Sequence, residues 1–296
     1  MKHILRAQDF DIQLLDNLFD SAKSLKTSSQ PQTMRGKVMC SLFYEPSTRT
    51  RLSFESAHLK LGGSVIGTEN ASEFSSSVKG ETLEDSIRVI SNYANVIVLR
   101  HGDNHAAERA AQVSSCPIIN AGSGTGQHPT QSLTDIYTIR ERFGMIGGMS
   151  VAIAGDLKHG RTARSLAYML SKYPAMKIYF IAPDELQMGQ DIIDYLVNKQ
   201  VHIGRFNNFD PILSEVDVIY QTRLQNERHG IEQHRYNIDI TAETVSKMKT
   251  GSIVMHPLPR NGEIHPEVDS LPNAAYFEQA ANSLWVRMAL LNHLFS

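Results

Sequence analysis

Apolar residues along the chain alternate between short continuous runs and segments with helical spacing. The runs KVMCSLFY (37–44), SVIGT (64–68), NVIVLR (95–100) and CPIINAG (116–122) read as strands, as do SVAIAGD (150–156), KIYFIAP (177–183), VDVIYQT (216–222) and SIVMHP (252–257). Continuous apolar runs suit strands of a parallel sheet covered on both faces. Between them the period is helical. Ile12, Leu15, Leu18 and Phe19 mark an opening helix. After the 37–44 strand, Leu52, Ser56 and Leu59 form one stripe and Phe54, Ala57 and Leu61 another, ending at Gly62-Gly63. Helices are also expected over TLEDSIRVISNYA (82–94), from about Pro129 to Phe143, over 162–172, 185–199 and 241–249, and over NSLWVRMALLNHLF (282–295). The polar, serine-rich ENASEFSSSVKGE (69–81) reads as a loop.

Strand–helix alternation predicts an α/β fold of two doubly wound parallel-sheet domains. Glycine-rich GMIGGM (144–149) marks the break between the halves. In such sheets ligands bind outside the carboxyl ends of the strands. The polar clusters fall there, which predicts one metabolite site in the cleft between the domains.

Composition narrows the function. Of the 296 residues, 41% are hydrophobic and 20% charged, as in a soluble globular protein. A net charge of −2 gives no general attraction to nucleic acid, so any phosphate must be held by local Arg and Lys. Cys40 and Cys116 adjoin apolar runs and read as buried thiols. MKHILRAQDF has no long apolar stretch, and no run is long enough to span a membrane, so a cytoplasmic protein is expected. H-E-x-x-H, C-x-x-C and G-x-S-x-G are absent, and no metal or cofactor is expected.

The densest chemistry lies in FYEPSTRTRLSF (43–54). Ser47, Thr48, Arg49, Thr50 and Arg51 stand where a helix begins, and helix N-termini offer backbone N–H groups and a positive dipole to anions. An ordinary cap needs one such side chain. NAGSGTGQHPTQ (120–131) is a glycine-rich turn ending in His128 and Gln131, where His128 reads as a ligand or equally as a structural histidine. GDLKHGRTARS (155–165) lacks G-x-G-x-x-G, which argues against a nicotinamide cofactor, and places Arg161 at a helix start. TRLQNER (222–228) adds Arg223, Gln225 and Arg228. Arginines at successive strand ends suit a carboxylate-rich molecule, though each alone reads as a surface residue. In MHPLPR (255–260) prolines on either side of Leu258 remove donors and leave carbonyls as acceptors for an amine. This inventory suits direct attack of an amine on an activated, phosphate-bearing carbonyl, with catalysis by positioning and electrostatics.

EPSTRTRLSFE, SVKGET, VLRH, QHPTQ, GDLKHGRT, TRLQNER and HPLPR, in this order, resemble the motif set of the aspartate/ornithine carbamoyltransferase family, and of its aspartate carbamoyltransferase catalytic chains in particular. Pro257 stands where ornithine enzymes carry a cysteine, and their S-M-G loop is absent. The resemblance implies a carbamoyl-phosphate domain over 1–130 and 283–296, an aspartate domain over 145–282 and a connecting helix over 131–144. It implies that Ser47, Thr48, Arg49 and Thr50 hold the phosphate of carbamoyl phosphate. Thr50, Arg100 and His128 would polarise its carbonyl, and Gln131 with the Leu258–Pro259 turn would bind the carbamoyl nitrogen. Arg161, Arg223 and Gln225 would grip L-aspartate, with Leu258 beside them. Ser75 and Lys79 would come from a neighbouring subunit of a homotrimer with shared sites. Glu45 would join Arg161 and Arg228 in domain closure. The implied reaction gives N-carbamoyl-L-aspartate and phosphate, early in pyrimidine synthesis. A regulatory chain or a dihydroorotase is an implied type of partner. The alternatives are a carbamoyltransferase for another amine such as ornithine, and a non-catalytic metabolite-binding chain.

Overall fold

The structure, a computed structural model, describes residues 2–28, 31–74, 76–223 and 238–296. The chain divides into two compact units, Met1–Thr134 with Ala281–Ser296, and Asp135–Ala280.

The first unit holds strands β1 (Val38–Phe43), β2 (Ser64–Thr68), β3 (Val96–His101) and β4 (Ile118–Ser123), all parallel, in the order β2-β1-β3-β4. Its helices are α1 (Ile12–Thr27), α2 (Thr48–Lys60), α3 (Ala71–Phe74), α4 (Leu83–Ile90) and α5 (Ala106–Val113). In the second unit β5 (Ser150–Ala154), β6 (Lys177–Ile181), β7 (His202–Phe206), β8 (Val218–Gln221) and β9 (Ile253–Met255) form a parallel sheet ordered β7-β6-β5-β8-β9. Helices α7 (Arg161–Leu170), α8 (Gln190–Asn198) and α9 (Ala242–Ser246) belong to this unit. The unit boundaries fall inside α6 (Pro129–Phe143) and α10 (Tyr276–Phe295). Two parallel sheets with helices between their strands are the fold that the alternation predicts.

Parallel pairing requires both faces to be covered, and the burial follows. Cys40 and Leu42 of β1 and Ile97 and Leu99 of β3 pack in one cluster with Leu83, Ile87, Ala106 and Ala110. Phe54 and Ala57 of α2 and Leu61 directly after it are fully buried, and the Arg287 guanidinium lies 4.7 Å from the Phe54 ring centre. Truncating such a buried Phe to Ala costs roughly 3–5 kcal/mol. The second stripe of α2 behaves differently: Leu52 and Leu59 are each 56% exposed in the single chain.

Three expectations need correction. Segment 69–81 is not a plain loop, since it contains α3 and a 3-10 turn, Ser76–Lys79. Its polar composition hides an anchor, because Ala71 is fully buried in the cluster that holds Tyr44 and Leu83, and the Ser72 hydroxyl donates to the Tyr44 carbonyl at 3.0 Å. Helix α5 was not expected. Its buried face is Ala106, Ala107 and Ala110, which carry too little apolar bulk to show a period. Strand β7 was missed because it is an edge strand with only partial burial, and its sequence HIGRF lacks an apolar run.

Candidate active site

Each sheet reverses its winding direction once, and there the strand ends open a crevice. In the first unit the reversal lies between β1 and β3. Ser47 precedes α2 as its N-cap residue, yet its side chain makes no capping hydrogen bond. Its Oγ instead accepts from Arg100 Nη1 at 3.1 Å, across from the end of β3. Arg51 N–H closes the first helical turn on the Ser47 carbonyl at 3.1 Å. The backbone N–H groups of Thr48, Arg49 and Thr50 therefore precede the first intrahelical bond, as anion-binding amides do. The ordinary-cap reading of this turn does not describe its geometry.

Thr50 is buried, and its Oγ1 lies 3.4 Å from His128 Nε2. Thr130 Oγ1 stands 3.4 Å from the other ring nitrogen. His128 is buried, and its carbonyl accepts from Gln131 N–H and Ser132 N–H in the first turn of α6. The glycine-rich turn before it bends closely around Asn104, whose side-chain oxygen accepts from Thr125 N–H at 2.8 Å. Gly124, at φ +45°, admits no Cβ there, because Asn104 fills the space. Gln127 does not point to a ligand role. It ties the turn to the chain start, accepting from Ala7 N–H at 2.8 Å and donating to Gln8.

Glu45 reaches Arg100 Nε at 3.4 Å. Arg51 pairs with Glu55 at 2.8 Å and Glu69 at 2.6 Å. Lys79 is exposed at the end of the 3-10 turn, with no hydrogen bond or ion pair among the described residues of its own chain. Ser75, Gln225 and Arg228 lie outside the described residues.

In the second unit the reversal lies between β5 and β8. Gly155, at φ +115°, follows β5 where a Cβ would be driven into the Thr222 carbonyl. This close approach lets Asp156 N–H donate to the Arg223 carbonyl at 3.3 Å. The buried Asp156 carboxylate accepts from His159 N–H at 3.0 Å, shaping the turn that delivers Arg161 to the start of α7. Arg161 and Arg223 thus follow neighbouring strands, each half-buried.

Leu258 follows β9, the neighbour of β8. Its φ is +55°, a left-handed conformation costly for leucine, and the Leu258–Pro259 peptide is cis. Buried side chains hold it. Leu258 N–H donates to His256 Nδ1 at 2.7 Å. The ring proton therefore sits on Nε2 and donates to Glu263 Oε1 at 2.7 Å. Glu263 Oε2 accepts from Asn261 N–H at 2.8 Å. Burial alone would push the Glu263 carboxyl up, but the hydrogen bonds from His256 and the backbone amides outweigh it and hold it low.

Asp156, Glu263 and Glu69 carry no ligand-type signature in sequence; each is a buried or bridging carboxylate whose partners the fold supplies. Among the described residues there is no group of three or more His, Cys, Asp or Glu able to hold a metal ion, and no helix long and apolar enough to cross a membrane.

Residues 2–141 match the family described as aspartate/ornithine carbamoyltransferase, carbamoyl-P binding domain, and residues 147–294 match its Asp/Orn binding domain. The chain is 48% identical over 303 residues to the chloroplastic aspartate carbamoyltransferase of Arabidopsis thaliana, covering 99% of this chain and 78% of the relative. It is 46% identical to the aspartate carbamoyltransferase catalytic subunit of Picrophilus torridus, covering 96% and 94%. A crystal structure of aspartate transcarbamoylase from Trypanosoma cruzi, in complex with carbamoyl phosphate and aspartate, superposes with a TM-score of 0.93 at 38% identity, covering 98% of this chain and 96% of that one. With both domains of the family matched in order along nearly the whole chain, the protein belongs to the aspartate/ornithine carbamoyltransferase family, on its aspartate carbamoyltransferase branch.

Proposed function

We propose that this chain transfers the carbamoyl group of carbamoyl phosphate to the amine of L-aspartate, giving N-carbamoyl-L-aspartate and phosphate in pyrimidine synthesis. The observation that carries the reading is the joined set Ser47–Arg100 and Thr50–His128 around the start of α2. It offers helix amides, hydroxyls and a guanidinium to a phosphate, and donors to an adjoining carbonyl oxygen.

Ser47, Thr48, Arg49 and Thr50 hold the phosphate. Thr50, Arg100 and His128 polarise the carbonyl oxygen, and Gln131 with the Leu258–Pro259 turn takes the carbamoyl nitrogen. Arg161, Arg223 and Gln225 bind the two carboxylates of aspartate. The neutral amine attacks the carbonyl carbon, an N–C bond forms and the C–O bond to phosphate breaks. The amine proton leaves with the phosphate, so no dedicated protein base is needed. Pro257 in place of the ornithine enzymes' cysteine favours aspartate over ornithine as acceptor.

Lys79, without a partner among the described residues of its own chain, and Ser75 serve a neighbouring subunit of a homotrimer. Exposed Leu52, Leu59, Ile66 and Tyr93 of the first unit supply apolar area for such an interface. Cytoplasmic residence fits the free, buried Cys40 and Cys116. The test is titration with a bisubstrate analogue joining a phosphonate to aspartate, with sizing of the particle. Tight binding at one site per chain, lost in Arg49→Ala and in Arg223→Ala, is expected. Binding that survives both substitutions would overturn the reading.

A further inference from the structure

Arg51 is the one member of the 47–51 cluster that the proposed chemistry leaves without a task. Its guanidinium forks between two carboxylates. Nε donates to Glu55 Oε1 at 2.8 Å, and Nη1 donates to Glu69 Oε2 at 2.6 Å. Glu55 belongs to the same helix and is held by the Ser41 hydroxyl of β1 at 2.6 Å. Glu69 comes from the segment after β2. Its second oxygen accepts from Ser47 N–H at 3.3 Å. Ser47 in turn accepts from Arg100. A continuous chain of polar contacts thus runs Ser41–Glu55–Arg51–Glu69–Ser47–Arg100. A second tie from the same segment, Ser72 to the Tyr44 carbonyl, grips the turn at its other end.

This chain contains an electrostatic contradiction. A carboxylate stands on the first amide of a turn built to receive a dianion, and like charges at such range repel. Glu69 is useful there as the acceptor that orients Ser47, but harmful as a charge. Arg51 cancels the charge without releasing the acceptor, because the two partners use different oxygens of Glu69. Burial would lower the Arg51 pKa, but hydrogen bonds and charges from Glu55 and Glu69 outweigh it and raise it, so the cation is permanent.

We infer that Arg51 and Glu69 are positioning residues for the phosphate turn: Glu69 orients Ser47, and Arg51 shields the incoming phosphate from the Glu69 charge. The inference rests on the reading of the turn as a phosphate site. It also assigns Arg51 a task that a salt bridge serving only helix stability would not have.

Three full-length proteins separate the two roles: the unaltered chain, Arg51→Met, and Arg51→Met with Glu69→Gln. Inorganic phosphate binding is measured by calorimetry at low and high salt, beside KM for carbamoyl phosphate and a melting curve for each. Arg51→Met should weaken phosphate binding roughly tenfold and raise KM in parallel, from a like charge left uncompensated near the site. The defect should shrink at high salt, since the Glu69 side chain is 39% exposed and open to screening. The added Glu69→Gln keeps an oxygen for Ser47 N–H and removes the charge, so most of the affinity should return even though the ion pair is not restored. A merely structural Arg51 predicts the opposite, a double variant no better than the single one. That result, or unchanged phosphate affinity in Arg51→Met, overturns the inference. If Arg51→Met fails to fold, Arg51→Lys replaces it as the single variant, since a lysine cannot fork between both carboxylates and should show a smaller, salt-sensitive loss of the same sign. If the unaltered chain binds no phosphate, the reading of the turn falls and the inference with it. If it binds phosphate and Arg49→Ala does not, while Arg51→Met is unaffected, the inference alone falls.

Discussion

Removal of the Glu263 carboxylate tests how the Leu258 turn is held. Glu263 and His256 are each about 1% exposed, so a lost partner cannot be replaced by bulk water. Glu263→Ala strands one buried donor, the His256 ring N–H, and removes the acceptor of the amide of Asn261, an exposed residue. A buried donor left unmade costs about 1–3 kcal/mol, so the loss is roughly 2 kcal/mol. For a unit of this size, roughly 2 kcal/mol corresponds to about 4–8 °C in Tm. Glu263→Gln keeps one acceptor oxygen and should lose about half as much. Function should suffer beyond stability. With His256 no longer fixed, Leu258 N–H loses its acceptor, and the left-handed Leu258 backbone can relax by about 1–2 kcal/mol. The carbonyl then turns away, and kcat should fall in Glu263→Gln even at temperatures where it is fully folded. The pH response has a defined sign. The folded-state pKa of Glu263 is lowered, so its stabilisation is present above the ordinary value of 4.5 and is lost as pH falls through the lower folded value. The alanine variant should lack that part of the acid-side slope. Urea denaturation from neutral to acid pH and steady-state kinetics are the assays. An alanine variant as stable as the unaltered chain, or a glutamine variant with unchanged kcat, would refute the reasoning.

Thr50→Val keeps the side-chain shape but removes the hydroxyl facing His128, and should lower kcat roughly a hundredfold, the loss seen for one oxyanion donor, with Tm little changed. An unchanged kcat would remove Thr50 from the carbonyl-polarising set. Arg260 grips Asp269 with both guanidinium arms, and its hydrogen bond is the main reason that the Asp269 carboxyl titrates below its ordinary value of 3.8. That stabilisation is present above the ordinary value and lost as pH falls through the lowered one, so Arg260→Ala should flatten the acid limb of the stability curve; an unaltered limb would contradict the assignment. Cys40 is pushed up to about 12, chiefly by burial, and Cys116 upward by the same cause. Neither should react with a thiol reagent at neutral pH in the native protein, and both should react in urea. Fast native labelling would show that the β-sheet cluster opens readily.

The fold was legible where burial leaves continuous apolar runs. β1, β3, β5 and β6 could be read because parallel strands covered on both faces are apolar along most of their length. The same rule explains the misses. β7 at the sheet edge needs no such run, and α5 buries alanines, whose small side chains give no contrast with a loop. The stripes of α2 show another limit. Both looked able to pack, but only Phe54, Ala57 and Leu61 face the interior of this unit, and apolarity alone does not say whether Leu52 and Leu59 meet the same chain or another.

The site separates into residues that can be read locally and residues that cannot. Ser47, Thr50, His128, Arg161 and Arg223 occur in short runs at strand ends, where side-chain type and position together point to a ligand. Their supports lie far off in sequence: Glu69 is 22 residues from Ser47, and Thr222 reaches the Ala154 carbonyl at the end of β5 across 68 residues. Nothing in a local window distinguishes such a carboxylate from a solvated surface charge. The two neighbouring arginines make the case most sharply. Arg49 and Arg51 look interchangeable in STRTR, yet two helical steps rotate a side chain by about 200°, so the two must leave the helix on opposite sides. The side that carries Arg51 faces Glu55, one helical turn on, and Glu69, which β2 returns to the same end of the sheet. Helical periodicity alone requires that the pair divide; only the tertiary return of Glu69 decides what the second arginine is for.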